Sequence, residues 1–254
     1  MTVNESLQLP ERPTPTSNSS NMSSIKKTAR IAGLLYLILA ALSAFGLVYV
    51  PSVLIASGDA ATTVSNILAN EWLLRLGIVS NLLAFTVNIF VVVLLYKLLK
   101  PVNRGMASLM VILILMGLTM AMLNELNQVA VLLLSGADYL TAFTADQLQA
   151  LVPLFLDLYE HGFIIAHIFF GLWLFPMGYL IFKSQFLPRF LGVFLIIAGL
   201  GYLADFILFF LLPDVSVGVS EFTFIGEVLL ILWLLIKGVN VEQWELRARK
   251  SARI

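Results

Sequence analysis

Six long apolar segments dominate this sequence and decide which solvent surrounds the chain. They lie at about residues 29–50, 73–96, 106–134, 158–182, 190–212 and 219–237. Each is close to the roughly 20 apolar residues that a helix needs to cross the hydrocarbon core of a bilayer. With 60% hydrophobic and only 12% charged residues, the chain carries more apolar surface than one soluble globule can bury. The lipid bilayer is therefore the expected environment.

The bilayer also restricts the secondary structure of these segments. Backbone N–H and C=O groups in lipid have no water to bond, so only helices and closed barrels satisfy them. No segment alternates polar and apolar residues with the period of two that a barrel strand shows. The predicted fold class is all-α, a polytopic membrane protein built as a bundle of six transmembrane helices.

The two ends of the chain differ from this apolar middle. Residues 1–24 are rich in Ser, Thr, Asn and Pro and cannot bury enough apolar area to offset the entropy lost on ordering. We expect a disordered cytoplasmic tail over residues 1–24, a six-helix transmembrane domain over 25–240 and a basic cytoplasmic tail over 241–254.

Lys and Arg residues fall almost entirely on one side of a six-span topology. Those on that side are Lys26, Lys27, Arg30, Lys97, Lys100, Arg104, Lys183, Arg189, Lys237, Arg247, Arg249, Lys250 and Arg253. The acidic residues of the opposite loops are Asp59, Glu71, Asp138, Asp146, Asp214 and Glu221. Because cytoplasmic loops carry an excess of Lys and Arg, both termini are predicted to be cytoplasmic.

Two local signals mark helix ends on the opposite, outer side. Glu71 precedes Arg75 by four residues, the spacing of a helical ion pair. Thr144 and Gln147 have the spacing of a capping box, which predicts a helix start ahead of the fourth span.

Several classes of function find no support in the sequence. The formal net charge is zero, so nothing indicates nucleic acid as a partner. The chain contains no cysteine, which excludes disulfides and thiolate ligands. It also lacks the GxSxG, Walker A and HExxH motifs.

Polar and ionisable residues inside the predicted spans are the candidates for function. Placing one acidic or basic side chain at the centre of a membrane helix costs about 2–3 kcal/mol or more, so such residues usually have a purpose. The candidate polar cluster in the outer half of the bundle comprises Asn81, Asn88, Glu125, Glu160, His167, Asp205 and Glu227.

The fourth span begins with "DLYEHGFIIAH", which contains both histidines of the chain. At about 100° per residue, Glu160 and His167 share a face, whereas His161 points about 100° away from Glu160. The segment is therefore not the HExxH zinc helix, in which the histidines are four residues apart. A metal site, with zinc as the candidate ion, would draw its ligands from His161, His167, Asp205 and Glu227.

Three functions are compatible with these residues. We expect a non-catalytic partner or regulatory subunit whose polar network fixes helix packing, with another membrane protein or a second copy as its partner. One alternative is a small-solute or proton-coupled transporter that uses Glu125, Asp205 and Glu227 as switchable carboxylates. The other is an intramembrane, metal-dependent hydrolase in which a carboxylate activates water.

The stretch "FFGLWLFPMGYLIFKSQFLPRFLGVFLIIAGLGYLADF", from Phe169 to Phe206, and the start "KKTARIAGLLYL" resemble a known family. It is a family of bacterial membrane proteins described only as a domain of unknown function, and the likeness covers nearly the whole chain after the tail. The resemblance implies a multi-pass protein of the bacterial cytoplasmic membrane. It implies no activity and no functional residue.

Overall fold

The computed structural model describes residues 15–136, 141–214 and 217–252, and all regular secondary structure in these ranges is helical. The helices in chain order are α1 (Pro15–Ser43), α2 (Val50–Leu54), α3 (Ala60–Ala69), α4 (Glu71–Leu99), α5 (Arg104–Leu134), α6 (Ala145–Leu172), α7 (Leu174–Ser184), α8 (Arg189–Leu211), α9 (Ser220–Thr223), α10 (Ile225–Ile236) and α11 (Val241–Ser251). A π-helical turn, Ala44–Tyr49, joins α1 to α2.

Five helical stretches are long and apolar enough to cross a membrane. They are Ser24–Leu54, Glu71–Leu99, Arg104–Leu134, Asp146–Ser184 and Arg189–Leu211. A sixth span is obtained if Ser220–Ile236 and Val241–Ser251, which are bent by 103° relative to each other, are counted together as one. The predicted all-α membrane bundle is confirmed, and its six segments correspond to these stretches.

Both predicted tails differ from the structure in part. Residues 15–24, expected to be disordered, form the first turns of α1. Extending an existing helix adds a hydrogen bond for each residue ordered, and a proline such as Pro15 is tolerated in a first turn. Residues 1–14 and 253–254, together with Asp138 of a loop predicted to be on the outer side, lie outside the described residues.

The predicted basic tail is largely the helix α11. Asn240 caps this helix by accepting a hydrogen bond from the backbone N–H of Gln243 at 3.2 Å. The indole Nε1 of Trp244 donates to the carbonyl oxygen of Leu98 at the end of α4, at 2.9 Å. Helix α11 is therefore fixed across the end of the bundle rather than free.

That end of the bundle, called the basic end here, collects the predicted positive residues. The backbone N–H of Asn240 bonds to the carbonyl oxygen of Phe186, and Gly238 lies beside Lys26. The chain segments around Lys26, Lys97, Lys183 and Lys237 thus come together at one end. That this end faces the cytoplasm stays a prediction.

Two apolar cores lie at different heights of the bundle. The larger core occupies the basic end and the middle, and it includes Leu99, Met177 and Leu191. The smaller core lies at the opposite end, where Ile67 of α3 packs with Leu74 of α4 and neighbouring residues. Along α4, α5 and α6 the two cores are separated by a polar layer, which contains the first half of the candidate site.

Candidate functional site

The first polar centre joins three helices around Glu125 of α5. The amide Nδ2 of Asn81 on α4 donates to Glu125 Oε1 at 3.0 Å, and the hydroxyl of Tyr159 on α6 donates to the same oxygen at 2.9 Å. Asn81 Nδ2 also lies 3.2 Å from the Tyr159 hydroxyl oxygen, which closes the triangle. Asn81 and Glu125 are each 2% exposed. We call this triad the Glu125 centre.

The π-helical turn after α1 makes room for the Glu125 centre. A Cβ atom placed on Gly46 would overlap the side-chain oxygen of Asn81, so no larger residue fits there without moving that side chain. π-helical turns inside longer helices commonly occur at functional sites. On the opposite flank, Asn124 Nδ2 donates to the backbone oxygen of Tyr159 at 2.7 Å and fixes α5 against α6.

The second polar centre joins three further helices around Glu227 of α10. The Tyr36 hydroxyl of α1 donates to Glu227 Oε2, and the Tyr202 hydroxyl of α8 donates to Glu227 Oε1 at 3.0 Å. Tyr36 is buried, and Glu227 is partly buried. We call this triad the Glu227 centre.

Together the two centres take one residue from each of the six apolar segments. The Glu125 centre uses the second, third and fourth segments, and the Glu227 centre uses the first, fifth and sixth. Glu227 lies ten residues before Lys237, which at 1.5 Å per residue is about 15 Å from the basic end. Asn81 lies sixteen residues before Lys97, or about 24 Å from that end. The expected single cluster in the outer half is therefore two centres, one near the middle and one further out.

A row of aromatic rings connects the two centres. Tyr159 stacks on Phe163 with ring centroids 6.3 Å apart, and Phe163 meets the edge of His167 at 5.3 Å. His167 in turn lies edge-on to Tyr202, at 5.1 Å. His167 is buried, and its Nδ1 has no hydrogen-bond partner among the described residues. It belongs to the row without bonding to either carboxylate.

Asp205 of α8 holds a turn instead of joining either centre. Its two carboxylate oxygens accept the backbone N–H groups of Val219 and Ser220, at 2.6 and 3.0 Å. These bonds fix the chain just before α9. Asp205, which was predicted to be a switchable carboxylate, therefore has both of its oxygens hydrogen-bonded to backbone N–H groups.

Three other predicted residues also stay outside the two centres. Glu160 is exposed, because its neighbour Tyr159 takes the inward position and successive residues point about 100° apart. His161 is exposed as well, with Nδ1 2.7 Å from the Asp157 backbone oxygen and its ring against Phe209. Asn88 is buried, but its Oδ1 has no partner among the described residues.

The residues proposed as zinc ligands are not brought together. Within the described part of the chain, no three His, Asp or Glu side chains are grouped as a metal site requires. His161 points away, Asp205 bonds to backbone N–H groups, and Glu227 bonds to two tyrosines. The donor set of a zinc hydrolase is therefore not assembled from the four side chains we named.

Sequence reasoning missed the three tyrosines that complete the centres. Tyr36, Tyr159 and Tyr202 were not among the candidates because tyrosine in a membrane protein is commonly an interfacial anchor. Their positions inside apolar segments carried a signal, since a buried tyrosine hydroxyl usually needs a hydrogen-bond partner. The sequence does not indicate which carboxylate each hydroxyl meets.

Comparison with known proteins places this bundle in a family. Residues 31–238 match the family described as Domain of unknown function (DUF4386). The chain belongs to the DUF4386 family. A relative described as an uncharacterized protein of Archaeoglobus fulgidus is 33% identical over 170 residues, which cover 65% of this chain and 86% of the relative. No solved structure matches the chain.

The family assignment confirms part of what the sequence predicted. The resemblance to a membrane-protein family of unknown function is confirmed by the DUF4386 match, and the apolar helices agree with it. The bacterial source, the cytoplasmic membrane and the orientation of the termini stay predictions.

Proposed function

We propose that this DUF4386 protein is a non-catalytic membrane component, a partner or regulatory subunit, whose intramembrane carboxylates hold its helices together. One observation carries the proposal: the Glu125 and Glu227 centres bond six residues, one from each apolar segment of the chain. Interhelical hydrogen bonds of this kind contribute to packing in a membrane, where burial of apolar surface gives little driving force. Three of the four carboxylate oxygens of Glu125 and Glu227 accept hydrogen bonds from the chain's own donors, which suits a packing role.

The test compares two substitutions of Glu125 with matched changes at Glu160. Glu125→Ala removes the acceptor, so the Tyr159 hydroxyl loses its acceptor and the Asn81 amide keeps only its bond to that hydroxyl. Leaving a buried donor without its acceptor costs about 1–3 kcal/mol. We expect a melting temperature several degrees lower in detergent. Glu125→Gln keeps an acceptor oxygen and should melt close to the unchanged protein. Glu160→Ala and Glu160→Gln change an exposed side chain and should have no effect.

The partner role is tested separately by chemical cross-linking in native membranes. A cross-linked species of twice the chain mass indicates a second copy, and a species of another defined mass indicates a different membrane protein. Recovery of the single chain alone, under conditions that cross-link a known complex of the same membrane, would contradict a partner or regulatory role.

A second candidate, proton-coupled movement of a small solute, is favoured by one feature of the Glu125 centre. The two interhelical hydrogen bonds to Glu125 together contribute about 1 kcal/mol, at an average of about 0.6 kcal/mol each. Inserting an acidic residue costs about 2.5–3.5 kcal/mol, and Glu125 Oε2 has no partner among the described residues. Packing alone therefore leaves the choice of an acid unexplained.

Proteoliposomes distinguish the two candidates. If the protein dissipates a pH gradient, and Glu125→Gln stops this without lowering the melting temperature, the transport candidate replaces the packing role. If the gradient is maintained equally with the unchanged protein and with Glu125→Gln, the packing role stands.

A further inference from the structure

A cleft of about 370 Å³ opens between α4 and α5 at the basic end. It is separate from both polar centres. Its lining residues are Val93, Tyr96, Lys97, Lys100, Ser108, Val111 and Ile112.

The lining changes from apolar to charged along the membrane normal. Val93 of α4 and Lys100, the residue just after that helix, are seven residues apart on one helical face, a distance of about 10 Å. Val93 and Ile112 are 44% and 55% exposed, so the apolar wall is open toward the side where lipid chains lie. The cleft therefore has an apolar part within the span and a cationic part in the last turn of α4.

The two lysines of the cleft form no ion pair within the described ranges of the chain. The ion pairs within the described ranges are Arg75 with Glu71 and Arg249 with Glu245, and neither involves Lys97 or Lys100. The sequence has no Asp or Glu between Glu71 and Glu125, so neither cleft helix supplies an acidic residue near this end. An anion is the complementary ligand.

We propose that this cleft binds one anionic phospholipid from the leaflet at the basic end. Lys97 and Lys100 bind the headgroup phosphate, and the Ser108 hydroxyl is available to donate to a phosphate oxygen. An acyl chain lies along the apolar wall formed by Val93 and Ile112. Basic pockets between membrane helices on the cytoplasmic side are recognised sites for such headgroups.

Helix α11 adds a small net positive charge to the end of the bundle that holds the cleft. The Trp244 indole bonds to Leu98, which lies between the two cleft lysines in the sequence. This bond holds α11, which carries Glu242 and Glu245 as well as Arg247, Arg249 and Lys250, against the same end of the bundle. Basic residues close to the surface attract anionic lipid over about one Debye length, roughly 8–10 Å at physiological salt.

The test measures lipid binding to the purified, delipidated protein by native mass spectrometry. The probes are dioleoylphosphatidylglycerol, dioleoylphosphatidylcholine, which carries no net charge, and glycerol phosphate as a free headgroup. We expect one phosphatidylglycerol per chain and a preference over phosphatidylcholine. The double variant Lys97→Gln/Lys100→Gln should weaken phosphatidylglycerol binding about 30-fold. The matched control, Lys183→Gln/Lys237→Gln, removes two exposed lysines from the same end and should keep the preference.

A second variant tests the acyl-chain half of the cleft while keeping both lysines. Ile112→Trp fills part of the apolar wall and should weaken binding of phosphatidylglycerol, whereas Leu115→Trp, an exposed position outside the cleft, should not. Equal phosphatidylglycerol binding by the lysine double variant and its control would overturn the proposal. Displacement of the lipid by an equal concentration of glycerol phosphate would also overturn it, because the site would then be one for a free phosphate.

Discussion

At the scale of single residues, tyrosine hydroxyls are the hydrogen-bond donors that complete the two polar centres, where the sequence indicated carboxylates and histidines. Glu125 and Glu227 were found from the sequence because charges in apolar spans stand out. Their partners Tyr36, Tyr159 and Tyr202 complete the centres through one oxygen atom each. A hydroxyl on an otherwise apolar ring adds little to a hydropathy pattern, which explains why these residues were not selected.

Removing one such hydroxyl should weaken the bundle measurably. Tyr159→Phe leaves Glu125 Oε1 with the Asn81 amide alone, and the loss of about 1 kcal/mol should lower the melting temperature by about 2–4 °C. Tyr179→Phe, at an exposed position on α7, is the matched control. An equal shift in both variants would show that the Tyr159 hydroxyl has no specific role.

Asp59, outside the spans, should give α3 a dependence on pH. It caps α3 by accepting bonds from the hydroxyl and N–H of Thr62, at 2.6 and 2.9 Å, and these bonds lower the pKa of its carboxyl below the usual 3.8. Because the pKa of Asp59 is lower in the folded state, its bonds stabilise α3 fully above about pH 3.8. This stabilisation is lost as the pH falls through the lowered pKa. Hydrogen exchange at the Thr62 amide, corrected for the intrinsic rate, should therefore accelerate at acidic pH.

The control for this effect is Asp59→Asn. Asparagine caps helices about as well as aspartate but does not titrate, so the corrected exchange rate should no longer depend on acid in this way. Acceleration of the same size in this variant would assign the effect to another group.

At the scale of elements, close approach between glycines brings α6 against α8. A Cβ atom on Gly171 would come within 2.8 Å of the Gly199 carbonyl oxygen, which is backbone and cannot move aside alone. Gly171→Ala should thus destabilise the protein by about 1–3 kcal/mol and shift the edge contact between His167 and Tyr202. The measurement is the melting temperature in detergent.

Gly105→Ala is the matched control for this prediction. At that exposed position of α5 a Cβ atom would be 3.4 Å from the side-chain oxygen of Asn103, close to ordinary contact. Alanine is the better helix former, so this variant should be neutral or slightly stabilising. Similar destabilisation of both variants would argue against a specific contact between α6 and α8.

At the scale of the whole molecule, the orientation in the membrane is the prediction that most needs a direct test. The chain has no cysteine, so single-cysteine variants report one site each. In intact cells, a membrane-impermeant maleimide should label Ser57→Cys, in the outer loop before α3, and should fail to label Ser251→Cys, at the end of α11, until the cells are opened. The reverse labelling pattern would place the basic end outside and contradict the prediction from Lys and Arg.

The sequence by itself determined that the apolar segments are helices and which end of the bundle is basic. Long apolar segments require helices in lipid, because the backbone has no other partner there, and the clustered lysines and arginines mark one end of the bundle. Two local predictions are also confirmed. The capping box of Thr144 and Gln147 begins α6, and Arg75 forms an ion pair with Glu71 at 2.5 Å. Each of these depends on residues close together in the chain.

The tertiary structure alone decided which polar residues meet. Asn81 and Glu125 are 44 residues apart, and Tyr36 and Glu227 are 191 residues apart. In a soluble helix the apolar face identifies the side that packs inward, but a membrane helix is apolar toward both lipid and protein. Hydropathy therefore locates the spans without fixing their rotation or neighbours. For this reason the sequence grouped Glu160 with Glu125 and His167, and only the packed bundle separates the exposed Glu160 from the two buried residues.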